Sequence, residues 1–125
     1  MAHGVILCAG TGGMPAAYEM CCIQAKEHKV TVIKSNDYFQ FVPSNPWAAV
    51  GWRTRGDITI PLGEPLERKS IGFIASTVEE IDAENSKLVM HSGDVVDYDY
   101  LIITTGQGWF SKKLKVPGRM MDTRI

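Results

Sequence analysis

The sequence predicts an α/β fold, a doubly wound parallel sheet built from βαβ units with an antiparallel hairpin or meander attached, and three observations predict it. An apolar run, Val5-Ile6-Leu7, passes directly into a glycine-rich turn and then into a helix-compatible stretch. A second run, Lys29 to Lys34, follows that stretch, and Val30, Val32 and Ile33 give it the near-continuous hydrophobicity of a strand covered on both faces. Further runs, Gly72 to Ala75 and Leu101-Ile102-Ile103-Thr104, supply a third strand and a last buried one.

Each element has a local reason. The first strand is expected over His3 to Ala9 and the helix over Gly12 to about Lys26, where Ala16, Ala17, Met20, Ile23 and Gln24 put small and apolar residues at helical spacing. Pro15 is tolerated there because it falls in the first turn, where a missing N–H breaks no ladder bond. From Ser35 to Gly56 the periodicity dissolves into Tyr38, Phe39, Phe41, Pro43, Pro46, Trp47 and Trp52, too aromatic for disorder, and an ordered covering loop is expected. Pro61 to Ser70 is read as a short helix and Thr77 to Asp82 as a strand. Lys87 to His91 and Val95 to Tyr98 form a hairpin, with Gly93 supplying the positive φ of its turn.

Composition narrows the function. With 125 residues, 45% of them hydrophobic, the chain can bury one core and hardly two. A formal net charge of -1 gives no long-range field for nucleic acid or anionic lipid, so no nucleic-acid partner is expected. No apolar run is long enough to cross a bilayer and no basic, apolar leader precedes the first strand, which points to a cytoplasmic protein. Three cysteines at 8, 21 and 22 imply no disulfide framework, and with histidines at 3, 28 and 91 they show no metal-ligand spacing. Cys21 and Cys22 are expected to pack as small helix residues.

The chemistry concentrates at Cys8-Ala9-Gly10-Thr11-Gly12-Gly13. Strand before and helix after are the setting in which a glycine turn lays a dinucleotide diphosphate on a helix N-terminus. Gly10 and Gly13 fill the second and third places of G-x-G-x-x-G, and Cys8 stands in the first, where the tight turn usually takes glycine. About 20 residues on, where a carboxylate usually accepts hydrogen bonds from ribose, the second strand ends in Lys34. An ammonium has no acceptor lone pair, so ribose falls to Ser35, Asn36, Asp37 or backbone. Tyr98 to Gly106 closes a hydrophobic strand in Thr105-Gly106 at the same sheet edge, and two such turns together fit an extended cofactor.

Those motifs, with the loop Asn36-Asp37-Tyr38-Phe39-Gln40-Phe41-Val42-Pro43-Ser44-Asn45-Pro46-Trp47 and Gly51-Trp52, resemble the N-terminal part of bacterial sulfide:quinone oxidoreductases, flavoproteins of the pyridine nucleotide-disulfide oxidoreductase superfamily. The resemblance implies a partial Rossmann-like FAD/NAD(P)-binding domain over residues 1–118, with an incomplete sheet, and a basic tail over 119–125. It implies FAD as cofactor: residues 8 to 13 at the diphosphate, Lys34 and Ser35 at the ribose, the backbone of Thr77 and Val78 at the adenine, and Val42, Pro43, Thr105 and Gly106 towards the flavin. It also implies sulfide and quinone as the longer family's redox partners. Peripheral association with the inner membrane would run through parts absent from these residues, and self-association through the open sheet edge. The family's redox cysteines follow Pro117-Gly118, so no catalytic residue is assigned here. Two alternatives stand beside this reading: part of a flavin-dependent NADH:quinone reductase, against which the Phe39 to Trp47 loop argues, and a non-catalytic remnant or interaction module without FAD.

Overall fold

A computed structural model describes residues 1–24 and 27–105, the side chain of residue 24 excepted. Four strands make the central sheet: β1 (His3–Leu7), β2 (Lys29–Lys34), β5 (Gly72–Ala75) and β9 (Tyr100–Ile103), in the order β5-β2-β1-β9 and all parallel. Between β1 and β2 runs α1 (Gly13–Gln24). The aromatic segment holds β3 (Tyr38–Gln40), α2 (Asn45–Ala49) and β4 (Thr59–Pro61), with 3-10 turns at Val42–Ser44 and Gly56–Ile58, and α3 (Gly63–Glu67) follows. An antiparallel meander of β6 (Val78–Asp82), β7 (Lys87–Met90) and β8 (Val95–Asp97) precedes β9.

Strand alternation sorts the core into two layers. Ile6, Val30 and Val32 point to one face and pack with Ala17 of α1 and with Leu62, Leu66 and Ile71 around α3. Val5, Leu7 and Ile33 point to the other and pack with Ile81, Leu88 and Met90 of the meander. Helices thus cover one face of the sheet and a β-layer covers the other. Thr31, nearly fully buried, would leave a hydroxyl stranded in that second layer, but its Oγ1 meets His3 Nε2 at 2.8 Å while His3 Nδ1 donates to the Asp97 carbonyl at 2.8 Å.

Several expectations need adjusting. The first strand stops at Leu7, two residues early, because Cys8 has already turned. The apolar stripe of α1 ends at Met20, whose Cε lies where a side chain on Gly4 would fall, and Ile23 is 73% exposed. Cys21 is half-buried and donates to the Lys69 carbonyl, whereas Cys22 faces solvent. The aromatic segment is ordered by its own two-stranded sheet, β3 against β4, which shows no period because each strand has three residues. The last strand, expected to be buried, is an edge strand with Ile103 51% exposed. Gly93 has φ +90°, as its hairpin turn requires. The expectations for Gly106 and for the tail over 119–125 lie outside the described residues.

Candidate functional site

The glycine turn begins while the chain is still in the sheet. Cys8 N–H donates to the Ile33 carbonyl at 2.8 Å, and in the same residue the backbone swings to φ +77°, the left-handed region that glycine enters freely and a Cβ does not. The swing aims the Cys8 carbonyl at the start of α1. A Cβ built on Gly13 would stand 2.0 Å from that oxygen, so glycine at this place is what lets the helix sit directly on the turn. The helix ladder begins with Met14 N–H to the Gly10 carbonyl at 3.1 Å and Ala16 N–H to the Gly12 carbonyl at 3.3 Å. The N–H groups ahead of it are those that the first turn of a helix leaves without an intrahelical acceptor. Above Gly10 a Cβ would meet nothing within 4 Å, and Thr11 and Gly12 are exposed. Open space, bare backbone and a helix N-terminus fit an anionic diphosphate.

Thr104, one residue past β9, fixes the turn from the neighbouring strand. Its N–H donates to the Leu7 carbonyl at 3.0 Å, and its hydroxyl lies 2.8 Å from that oxygen and 3.1 Å from the Cys8 carbonyl. A side chain on Gly13 would also approach Thr104 Oγ1 to 2.7 Å. The end of the last strand and the first glycine turn are therefore one packed unit, with exposed Thr105 beside it.

At the end of β2, Lys34 turns towards the covering loop. Its Nζ donates to the Tyr38 carbonyl and stands 5.4 Å from the Tyr38 ring centroid. Burial pulls its pKa below the ordinary lysine value, and the charges that Cys8 and Tyr38 would carry on ionising pull the other way. Ser35 is exposed, and Asn36 Oδ1 is buried with no partner among the described residues. Thr77 and Val78 follow β5 at the same edge of the sheet. The Thr77 carbonyl is already taken by His91 N–H at 2.8 Å, and Val78 pairs with Met90 in the meander. Val42 and Pro43 are exposed on a 3-10 turn of the loop.

The loop's cations went unassigned from sequence. Arg53 lies 4.5 Å over the Trp47 ring and donates to buried Ser44 Oγ, and Arg55 lies 5.1 Å over the Tyr38 ring and donates to its hydroxyl at 2.8 Å. The available signal was two arginines shortly after an aromatic run. In the sequence Thr104 carries only the mark of a strand residue, although a threonine ahead of a Thr-Gly turn has a hydroxyl that can reach a neighbouring backbone.

A four-stranded parallel sheet with a glycine turn locked against its last strand is the architecture of nucleotide-binding α/β domains. The chain belongs to the pyridine nucleotide-disulphide oxidoreductase family, whose model matches residues 2–124. It is 38% identical over 104 residues to the sulfide-quinone reductase of Aquifex aeolicus, an alignment covering 83% of this chain and 24% of that protein. The crystal structure of the Aquifex sulfide:quinone oxidoreductase superposes with a TM-score of 0.79 at 36% identity, over 82% of this chain and 24% of the other. The type II NADH:quinone oxidoreductase of Staphylococcus aureus is 24% identical over 103 residues, 82% of this chain and 25% of its own length. The NADH:rubredoxin oxidoreductase of Clostridium acetobutylicum superposes with a TM-score of 0.67 at 25% identity, over 82% of this chain and 27% of the other. The chain spans about a quarter of the length of these relatives.

Proposed function

We propose that this chain is the FAD-binding amino-terminal part of a flavoprotein of the sulfide:quinone oxidoreductase kind. The observation that carries it is the Thr104 clip, which ties the end of β9 to the glycine turn beneath open space over Gly10. The backbone from Cys8 and Ala9 through Gly10, Thr11, Gly12 and Gly13 holds the diphosphate. Lys34 and Ser35 lie at the ribose end, the backbone at Thr77 and Val78 is at the adenine, and Val42, Pro43, Thr105 and Gly106 are assigned to the flavin side. FAD supplies the acceptor for an electron pair; the residues of this chain bind and orient it and cover it from water. Sulfide and quinone would be partners of the longer protein. Among the described residues no helix is long and apolar enough to cross a membrane; peripheral membrane contact, like sulfide and quinone, would belong to the longer protein. The exposed β9 edge would be the place of self-association. The sulfide reading is favoured over the NADH one by 38% identity against 24% and by the aromatic loop.

The test is the visible spectrum of the purified, desalted chain and of the apoprotein titrated with FAD. Retained flavin absorbance supports the reading, and a folded protein that neither retains nor takes up FAD overturns it. A remnant that has lost its ligand is the second reading, favoured by the left-handed Cys8. Cys8→Gly removes the Cβ penalty, and after the larger unfolded-state entropy of glycine it should still gain about 0.5–1 kcal/mol in denaturant unfolding. A rise in FAD affinity alongside would show that the thiol residue weakens the site.

A further inference from the structure

We propose that Lys34 is a positioning residue, acting on the ribose end of the site through Tyr38, which it and Arg55 hold between them as a latch on the covering loop. This rests on the FAD reading above and deepens it. The residues converge from three places in the chain. Register with β1 pairs Ile33 with Leu7, so Lys34, the last residue of β2, stands beside the glycine turn. Its ammonium then donates to the carbonyl of Tyr38, the first residue of β3. Arg55, just ahead of the second 3-10 turn and β4, donates Nη2–H to the Tyr38 hydroxyl.

Two cations on one side chain repel unless acceptors lie between them, and here a carbonyl oxygen, a ring face and a phenol oxygen do so. This chain has three cation–aromatic pairs between residues 34 and 55, two of them on Tyr38. Ile58 and Phe39 anchor the loop in apolar packing, Phe41, Trp47 and Trp52 stay exposed, and at the β2 end the loop is met by the Lys34 ammonium on Tyr38. Between Lys34 and Tyr38 lie only residues 35 to 37, the turn that faces the ribose. Holding both ends of that turn sets its shape, which a lysine does here by donating to the loop where a carboxylate would accept from the sugar.

The experiment compares the 125-residue chain with Lys34→Met, Lys34→Arg, Tyr38→Leu and the Lys34→Met/Tyr38→Leu pair, among proteins whose circular dichroism matches the parent. FAD affinity is read by titration, and loop fastening in the apoprotein by the initial rate of tryptic cleavage after Arg53 and Arg55. Lys34→Met should weaken FAD about fivefold or more and speed the cleavage, Lys34→Arg should restore both, and the double variant should lose no more than the worse single one. Losses that multiply in the double variant overturn the proposal, because Lys34 then reaches the ligand without Tyr38. Cleavage that Lys34→Met leaves unchanged, or a loss that Lys34→Arg fails to restore, also overturns it. If Lys34→Met does not fold, Lys34→Gln takes its place, keeping a donor without the charge. A parent chain that binds no FAD overturns the function proposed above, and the cleavage rates alone then judge the latch.

Discussion

The glycine turn and the covering loop are built on opposite plans. Residues 8–13 have almost no side chain to work with; they are shaped by backbone contacts, by the absence of a Cβ at Gly13 and by one threonine hydroxyl from the far strand. The covering loop, from β3 to β4, is shaped by large side chains, with guanidinium and ammonium groups set on aromatic faces and much of its apolar surface in solvent. Backbone packing at van der Waals distance has no slack, whereas exposed cation–aromatic pairs give way gradually. The first region should be brittle and the second tolerant.

Substitutions can break that contrast. Gly13→Ala should be the most damaging, costing about 3 kcal/mol in denaturant unfolding, because its methyl would overlap the Cys8 carbonyl and crowd Thr104 Oγ1 with no flexible atom to yield. Thr104→Val keeps the shape and removes the hydroxyl, and should cost about 1–2 kcal/mol because the Cys8 carbonyl loses its contact with that donor. In the loop, Arg53→Ala takes the cation off Trp47, and about 0.5 kcal/mol is expected; a loss as large as that of Thr104→Val would erase the distinction. Smallest is Gly10→Ala, which should leave stability within about 0.5 kcal/mol since its methyl enters empty space. Yet that methyl occupies the room assigned to the diphosphate, so FAD affinity should fall about tenfold or more, the mark of a position kept for ligand and not for fold. Equal FAD affinity in Gly10→Ala would remove the diphosphate from this turn.

Much of the frame was legible because it rests on period and punctuation. Lys29–Lys34 and Gly72–Ala75 stand where the apolar runs put them, and Gly93 turns its hairpin as read. The need for positive φ at Cys8 was legible too, since the first place of the glycine pattern carries that demand. Three-residue β3 and five-residue α2 were not, because neither is long enough to show a repeat, and β3 finds its partner about 20 residues away. At the site, the gathering of Cys8, Gly13 and Thr104 was only half legible. Neighbouring turns can be inferred from a parallel sheet, but a hydroxyl bridging two carbonyls depends on register that sequence does not print. The turn of Lys34 away towards Tyr38 was hidden for the same reason: a lysine at a strand end defaults to solvent until a carbonyl and a ring are known to be near.

The hydroxyl that steadies the first bend comes from Thr104, 97 positions beyond the carbonyl it meets at Leu7. A ribosome making this chain therefore releases the cradle well before its clasp, and loop closure over so long a span is slow and entropically costly. Until the closing strand docks, the bend must fluctuate, and a nucleotide arriving early finds no firm seat. Uptake of ligand would then report that the four parallel strands have assembled.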